Sequence, residues 1–177
     1  MRKTLLFLLF SAFVFGQDIV RDSLSENGRL IEFRVGESKL TLNTAKPIND
    51  FKNIGGVLTT DGNPYFGLKF FPYDLNSEVI LMDLKNDPKF NVDFPNSTIS
   101  FEGVHNITSY KVFTDSKKRK VYNKVKIYAI SGGLLWMFFN VEMKGNNTDA
   151  SENQVKELID SFTLQDNYFA LNPNLQY

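Results

Sequence analysis

The chain is expected to form an α+β domain: an antiparallel sheet packed against a C-terminal amphipathic helix and a short helix in the N-terminal half. An α/β/α sandwich is one arrangement that satisfies this. Three observations predict it. Apolar residues recur at every second position in several short segments, a hairpin pattern joins Val121 to Met143, and Ala150 to Phe162 carries an apolar stripe at helical spacing. Composition agrees, since 42% hydrophobic and 23% charged residues in 177 is a globular balance rather than a disordered one.

Met1 to Gln17 reads MRKTLLFLLFSAFVFGQ, with Arg2 and Lys3 ahead of an apolar run of 13 residues, Thr4 to Gly16. A charged end followed by a short apolar run is the layout of a secretory signal peptide, whereas a spanning helix needs about 20 residues. Val14 and Gly16 place cleavage before Gln17, so 1–16 is expected to be a leader and 17–177 a single α+β domain. The chain has no cysteine, which excludes disulfides and a lipidated-cysteine anchor. The expected location is periplasmic or secreted, in a bacterial envelope, with no stable membrane anchor after cleavage.

Along the mature chain, Ile31, Phe33 and Val35 alternate with Glu32 and Arg34, a half-buried strand that follows the turn-like Glu26-Asn27-Gly28. Lys39 to Asn43 continues the sheet through Leu40 and Leu42. In Thr44 to Ile54 the residues Ile48, Phe51 and Ile54 lie three apart, Thr44 is a capping type and Gly55-Gly56 supplies a stop, so a short helix is expected. Thr60 to Pro64 is dense turn chemistry and delivers Tyr65 to Phe71, a strand apolar on much of both faces and therefore central. Glu78 to Leu84 is a continuous apolar run that fits a buried strand or a buried helix equally. Lys89 to Phe94, Thr98 to Phe101 and Ser109 to Phe113 are short strand candidates.

The strongest hairpin follows. Val121, Val125, Ile127 and Ala129 alternate with Tyr122, Lys124, Lys126 and Tyr128, Ser131-Gly132-Gly133 turns the chain, and Leu134 to Val141 returns. Beyond Gly145, Val155, Leu158, Ile159 and Phe162 fall at i, i+3, i+4 and i+7, with Asp149 and Glu152 spaced as a capping box. This hairpin, leading into a helix that ends Lys156-Glu157-Leu158-Ile159-Asp160-Ser161-Phe162, resembles the close of PsbP/Mog1-like domains. The resemblance covers Val121 to Phe162; the Pro-x-x-Trp segment of that family is missing from the first half. It implies an α/β/α sandwich with an antiparallel sheet, used as a binding or assembly-accessory module, and it carries no catalytic residues across.

The residues offer little for catalysis. His105 is the lone histidine, and without cysteine a zinc site would have to be completed by carboxylates; Glu102 and His105 alone do not make one. No nucleophile elbow and no glycine-rich phosphate loop is present. Carboxylates for glycoside chemistry could come from Asp61, Asp74, Asp83, Asp93 or Glu102, depending on their separation in space. No catalytic residue, cofactor or metal ligand is therefore assigned. Twenty cations balance twenty carboxylates, and loss of the leader removes two of the cations, which argues against a nucleic-acid partner.

Two residue groups suit binding. Lys117, Lys118, Arg119 and Lys120 form a cationic run, and Tyr122, Lys124, Lys126 and Tyr128 place amphipathic rings beside cations on one strand face, a composition suited to polar or acidic partners. Trp136 and Phe138 are candidates for lining a small apolar ligand site, in a chain holding 17 Phe, 7 Tyr and 1 Trp. The expectation is an exported, non-enzymatic binding or assembly-accessory domain of a bacterial envelope whose partner the sequence does not identify, another envelope protein or a small apolar ligand being the two classes it suits. The alternatives are a carrier of a small apolar ligand and, third, a carboxylate-based hydrolase of an envelope polymer.

Overall fold

A computed structural model describes residues 17–26, 28–46 and 48–173. The expected leader at 1–16 lies outside the described residues, as do Asn27 of the expected first turn and Pro47 of the expected first helix. In chain order the elements are β1 (Gln17–Ser25), β2 (Gly28–Val35), β3 (Ser38–Thr44), β4 (Phe51–Ile54), β5 (Val57–Thr60), β6 (Tyr65–Pro72), α1 (Ser77–Asn86) and α2 (Pro88–Asp93). Then follow β7 (Thr98–Ser100), β8 (Asn106–Thr114), β9 (Lys120–Ile130), β10 (Gly133–Glu142), α3 (Thr148–Asp160), β11 (Phe162–Gln165) and α4 (Tyr168–Leu171). The class is α+β, with the strands in two antiparallel sheets rather than the single one expected: β1-β2-β3-β11, and β4-β5-β6-β10-β9-β8-β7.

The hairpin forms as read, with Ile130 opposite Gly133 and Val121 opposite Glu142. It stands at the centre of the large sheet, where Phe139 of β10 also faces Phe66 of β6. The register assigns the two faces of this sheet. Leu135, Met137, Phe139 and Val141 meet Ile31, Phe33, Leu40 and Leu42 of the small sheet, together with Val155 and Leu158 of α3, in one buried cluster. Leu134, Val125, Ile127 and Ala129 point the other way and meet Leu81 of α1 and Phe90 of α2. Helices thus lie against opposite faces of the large sheet, and the small sheet shares the face used by α3.

Gln17 and Phe51 join the two sheets. The Gln17 amide donates to the carbonyls of Gly56 (2.7 Å) and Leu68 (3.1 Å), while its oxygen accepts the Phe70 N–H at 2.5 Å. Leu68 is the last position at which β6 pairs with β5, and Gly56 and Phe70 lie beyond it, so one buried side chain extends the ladder past its end. The Phe51 ring stands edge-on to Phe33 and Phe66, each at 5.0 Å.

Several expectations are corrected. Thr44 to Ile54 contains no helix among its described residues; Phe51–Ile54 is strand β4, paired with β5 around Gly55-Gly56, whose φ values of 60° and 78° suit a tight hairpin turn. Burial of the Phe51 ring between the sheets overrides a spacing of three that imitated a helix. Glu78 to Leu84, for which strand and helix stood equally open, is helical, because Asn76 caps α1 by accepting the Glu78 N–H at 2.8 Å and Leu81 is buried. Lys89 to Phe94 is not a strand: Asp87 accepts the Lys89 N–H at 2.8 Å and Pro88 opens α2, a helix start that outweighs the local alternation of Phe90, Val92 and Phe94. The last helix begins earlier than read, capped by Asn147, which accepts the Ala150 N–H at 3.3 Å, in place of the Asp149 box. Phe162 has left that helix and opposes Leu42 in the small sheet.

Candidate binding face

Directly opposed residues of an antiparallel sheet share a face, so the face away from α3 can be followed strand by strand. It carries Tyr65 and Lys69 from β6, Lys111 and Phe113 from β8, Val121 and Asn123 from β9, and Trp136, Phe138 and Asn140 from β10. Helices α1 and α2 cover one half of this face. Trp136 marks the boundary, edge-on to Phe71 at 5.5 Å, Phe94 at 5.6 Å and Phe90 at 6.3 Å. Its indole N–H is buried without a hydrogen-bond partner among the described residues.

The other half has no helix over it among the described residues. Phe138 lies across Gly67, where a β-carbon would come within 2.5 Å of its ring, and stacks on Tyr65 at 6.2 Å. Glycine at 67 lets the ring lie down and form an aromatic floor. Beside it the Asn123 amide donates to the Asn140 side-chain oxygen at 2.8 Å, giving a polar centre between Phe113 and Phe138. Two open grooves of about 310 Å³ and 630 Å³ meet here, sharing Phe113 and Asn140. Lys111 and Phe94 rim the smaller, and Asp61, Lys117 and Glu142 the larger.

The β8–β9 turn sets the electrostatics of the rim. The Asp115 carboxylate accepts the N–H groups of Arg119 and Lys117, both at 2.9 Å, and takes the Arg119 guanidinium at 2.7 Å. The Arg119 amide and guanidinium, with the Lys117 amide, hold its carboxyl below the usual carboxylate range. Arg119 also reaches Glu142 at 3.0 Å, and Lys52 pairs with Asp61. The three carboxylates lining the larger groove are therefore each bound to a cation, and Asp115 is shifted away from the raised value a general acid requires.

Of the residues singled out in the sequence, Trp136, Phe138, Lys117 and Arg119 converge on this face. Lys118 occupies the tip of the turn with φ of 60°, and Lys120 opens β9, donating to Asn146 at 2.5 Å. The Tyr122, Lys124, Lys126 and Tyr128 group lies on the opposite face, toward α3. Lys124 pairs with Glu152 of that helix at 3.6 Å, Lys126 sits 4.8 Å over the Tyr128 ring, and Tyr122 is only 1% exposed. The alternation suggested one dry and one wet face; on the face toward α3, Lys124, Lys126 and Tyr128 are half-buried and Tyr122 is buried. Its hydroxyl has no hydrogen-bond partner among the described residues, and burial, with Glu152 and Tyr110 nearby, pushes the phenol up to about 12.

His105 lies elsewhere, with Nδ1 3.0 Å from Glu78 and its ring edge-on to Phe101. Sequence reasoning missed Tyr65, Phe113, Asn123 and Asn140, because only the pairing of four strands brings them together. Neither a family model nor a curated protein matches the chain.

Proposed function

We propose that the chain is an exported, non-enzymatic binding or assembly-accessory domain of a bacterial envelope, and that it holds another envelope protein on the uncovered half of the large sheet. The observation that carries this reading is the aromatic floor of Phe138, Tyr65 and Phe113, which two helices stop short of covering. Part-exposed aromatic rings around a small polar centre are the composition of a protein-recognition patch. Export to the periplasm or beyond rests on the pattern of residues 1–16. In this reading α1 with α2, the large sheet and α3 are the layers of an α/β/α sandwich, in keeping with the PsbP/Mog1-like resemblance of the closing hairpin and helix.

The test is photo-crosslinking in the intact envelope, with p-benzoylphenylalanine in place of Phe113 or, as a control, of Leu24, which is 83% exposed in the small sheet. A discrete adduct from position 113 and none from 24 is expected; equal labelling would refute the assignment of the face.

A second reading, a carrier of a small apolar ligand, is favoured by the smaller groove, whose about 310 Å³ reaches the low end of ligand sites and includes both Trp136 and Phe138. Native mass spectrometry of the purified chain separates the two, since a carrier retains a small molecule and a protein-binding face does not.

A further inference from the structure

The strand that borders the uncovered face has an unfinished edge. β8 runs for nine residues along β9, from Asn106 opposite Tyr128 to Thr114 opposite Lys120. On its outer side β7 accompanies it only from Asn106 to Thr108. The direction of the remaining backbone groups follows from the ladder. The His105 carbonyl accepts the Ala129 N–H and the Asp115 N–H donates to the Arg119 carbonyl, both at 2.9 Å. In an antiparallel pair, bonding to one neighbour alternates along the strand. The odd positions of β8 therefore bond to β9, and the even positions Tyr110, Val112 and Thr114 aim their N–H and C=O groups outward, past the end of β7.

Natural sheets guard such edges with charge, irregularity or brevity. The edges of this protein fit that pattern elsewhere. β1 has a register shift between Ile19 and Arg21 and exposes Asp18, Arg21 and Asp22. β4 and β11 are four residues long and β7 three. The outer stretch of β8 instead exposes Tyr110 (45%), Val112 (45%) and Phe113 (38%). Lys111, its one charged residue, is turned under the sheet and donates to the Asp93 carbonyl at 2.7 Å.

We infer that this edge accepts an extended, acidic segment of the partner protein as an additional antiparallel strand beside β8. The inference rests on the binding-face reading above and gives the partner its chemistry. Only a polypeptide in extended form offers the alternating donors and acceptors that Tyr110, Val112 and Thr114 lack among the described residues. The charge of the partner follows from its surroundings, since five cations face one carboxylate between Asn106 and Val121. Asp115 is already engaged by Arg119, while Lys117 and Lys118 flank the end of the edge. An antiparallel strand brings its N-terminal end to those lysines, and its side chains alternate between Val112 and Tyr110 on one face and Phe113 on the other.

The experiment uses the mature chain, ¹⁵N-labelled, and the synthetic peptide EDVTVTV with a capped C-terminus. Slowed hydrogen exchange, tenfold or more, is expected at the amides of Tyr110, Val112 and Thr114, with Lys111 and Phe113 unchanged because β9 already holds them. Val112→Pro removes an outward N–H at an edge where proline is tolerated, and should weaken binding at least tenfold with an unchanged thermal melt. Should this variant fail to fold, the same peptide N-methylated on alternate residues tests the same bonds from the other side. The analogue KKVTVTV should bind at least tenfold more weakly than the acidic peptide. Absence of protection at the three amides, or equal binding of the two peptides, would overturn the inference. A concentration-dependent dimer dissolved by Val112→Pro would also overturn it, by assigning the edge to a second copy. If Phe113, Val121 and Tyr65 respond to the peptide while the edge amides do not, strand addition falls and the binding face stands; if none responds and position 113 gives no crosslink, both fall.

Discussion

Replacing Tyr122 by phenylalanine should make the protein more stable, and increasingly so at alkaline pH. The ring is 1% exposed and stacks on Tyr110 at 6.2 Å, an arrangement phenylalanine preserves. The hydroxyl is desolvated without a partner among the described residues, and such a group costs about 1–3 kcal/mol. Its removal should raise the unfolding free energy by about 1 kcal/mol at neutral pH. Burial also raises the phenol to about 12, above the ordinary value of about 10. Between those values the unfolded chain releases the proton while the native one retains it, so wild-type stability falls as pH rises through this window. Linkage puts the loss at about 1 kcal/mol at pH 11 and at most about 3 kcal/mol beyond pH 12. The variant lacks this loss, so its advantage should grow to about 2 kcal/mol at pH 11. Urea unfolding of both proteins at pH 7 and 11, followed by Trp136 fluorescence, measures it. A variant less stable than wild type at pH 7, or a gap that stays constant between the two pH values, would refute the reasoning.

Gln17→Ala should destabilise by about 3 kcal/mol in urea, because it orphans the Phe70 N–H and the Leu68 carbonyl within the sheet. Gly133→Ala should cost more than Gly67→Ala in thermal melts: the new methyl meets the backbone oxygen of Phe71 at 2.2 Å at one site, and at the other a ring that can swing toward the open face. Leu158→Ala, on the buried side of α3, should lose about 2–5 kcal/mol, whereas Phe113→Ser should change stability by less than about 1 kcal/mol and weaken binding of the acidic peptide.

What could be read in advance was local. The β9–β10 hairpin is closed by a short turn and alternates cleanly, and the stripe of Val155 and Leu158 admits one packed side, so neighbouring residues alone specify both. The misread segments are those where two local rules compete. Ile48, Phe51 and Ile54 imitate a helical face, yet Gly55-Gly56 is equally a hairpin turn, and the space between Phe33 and Phe66 decided for the strand. Asp87-Pro88 is a helix start set in front of a segment that also alternates, and burial of Phe90 against the large sheet decided for the helix.

The order of residues was sufficient for the α+β class, the central hairpin and the amphipathic closing helix, because hydrophobic period and turn chemistry act within a few residues. It could not assign the binding face. Alternation along β9 separates Tyr122 from Val121 without stating what lies over either, and Tyr65, Phe113, Phe138 and Asn140 become neighbours only through the pairing of β6, β8, β9 and β10. Whether a face is dry, covered or open is a property of the layers stacked on it, and those layers are chosen by long-range packing that no single segment encodes.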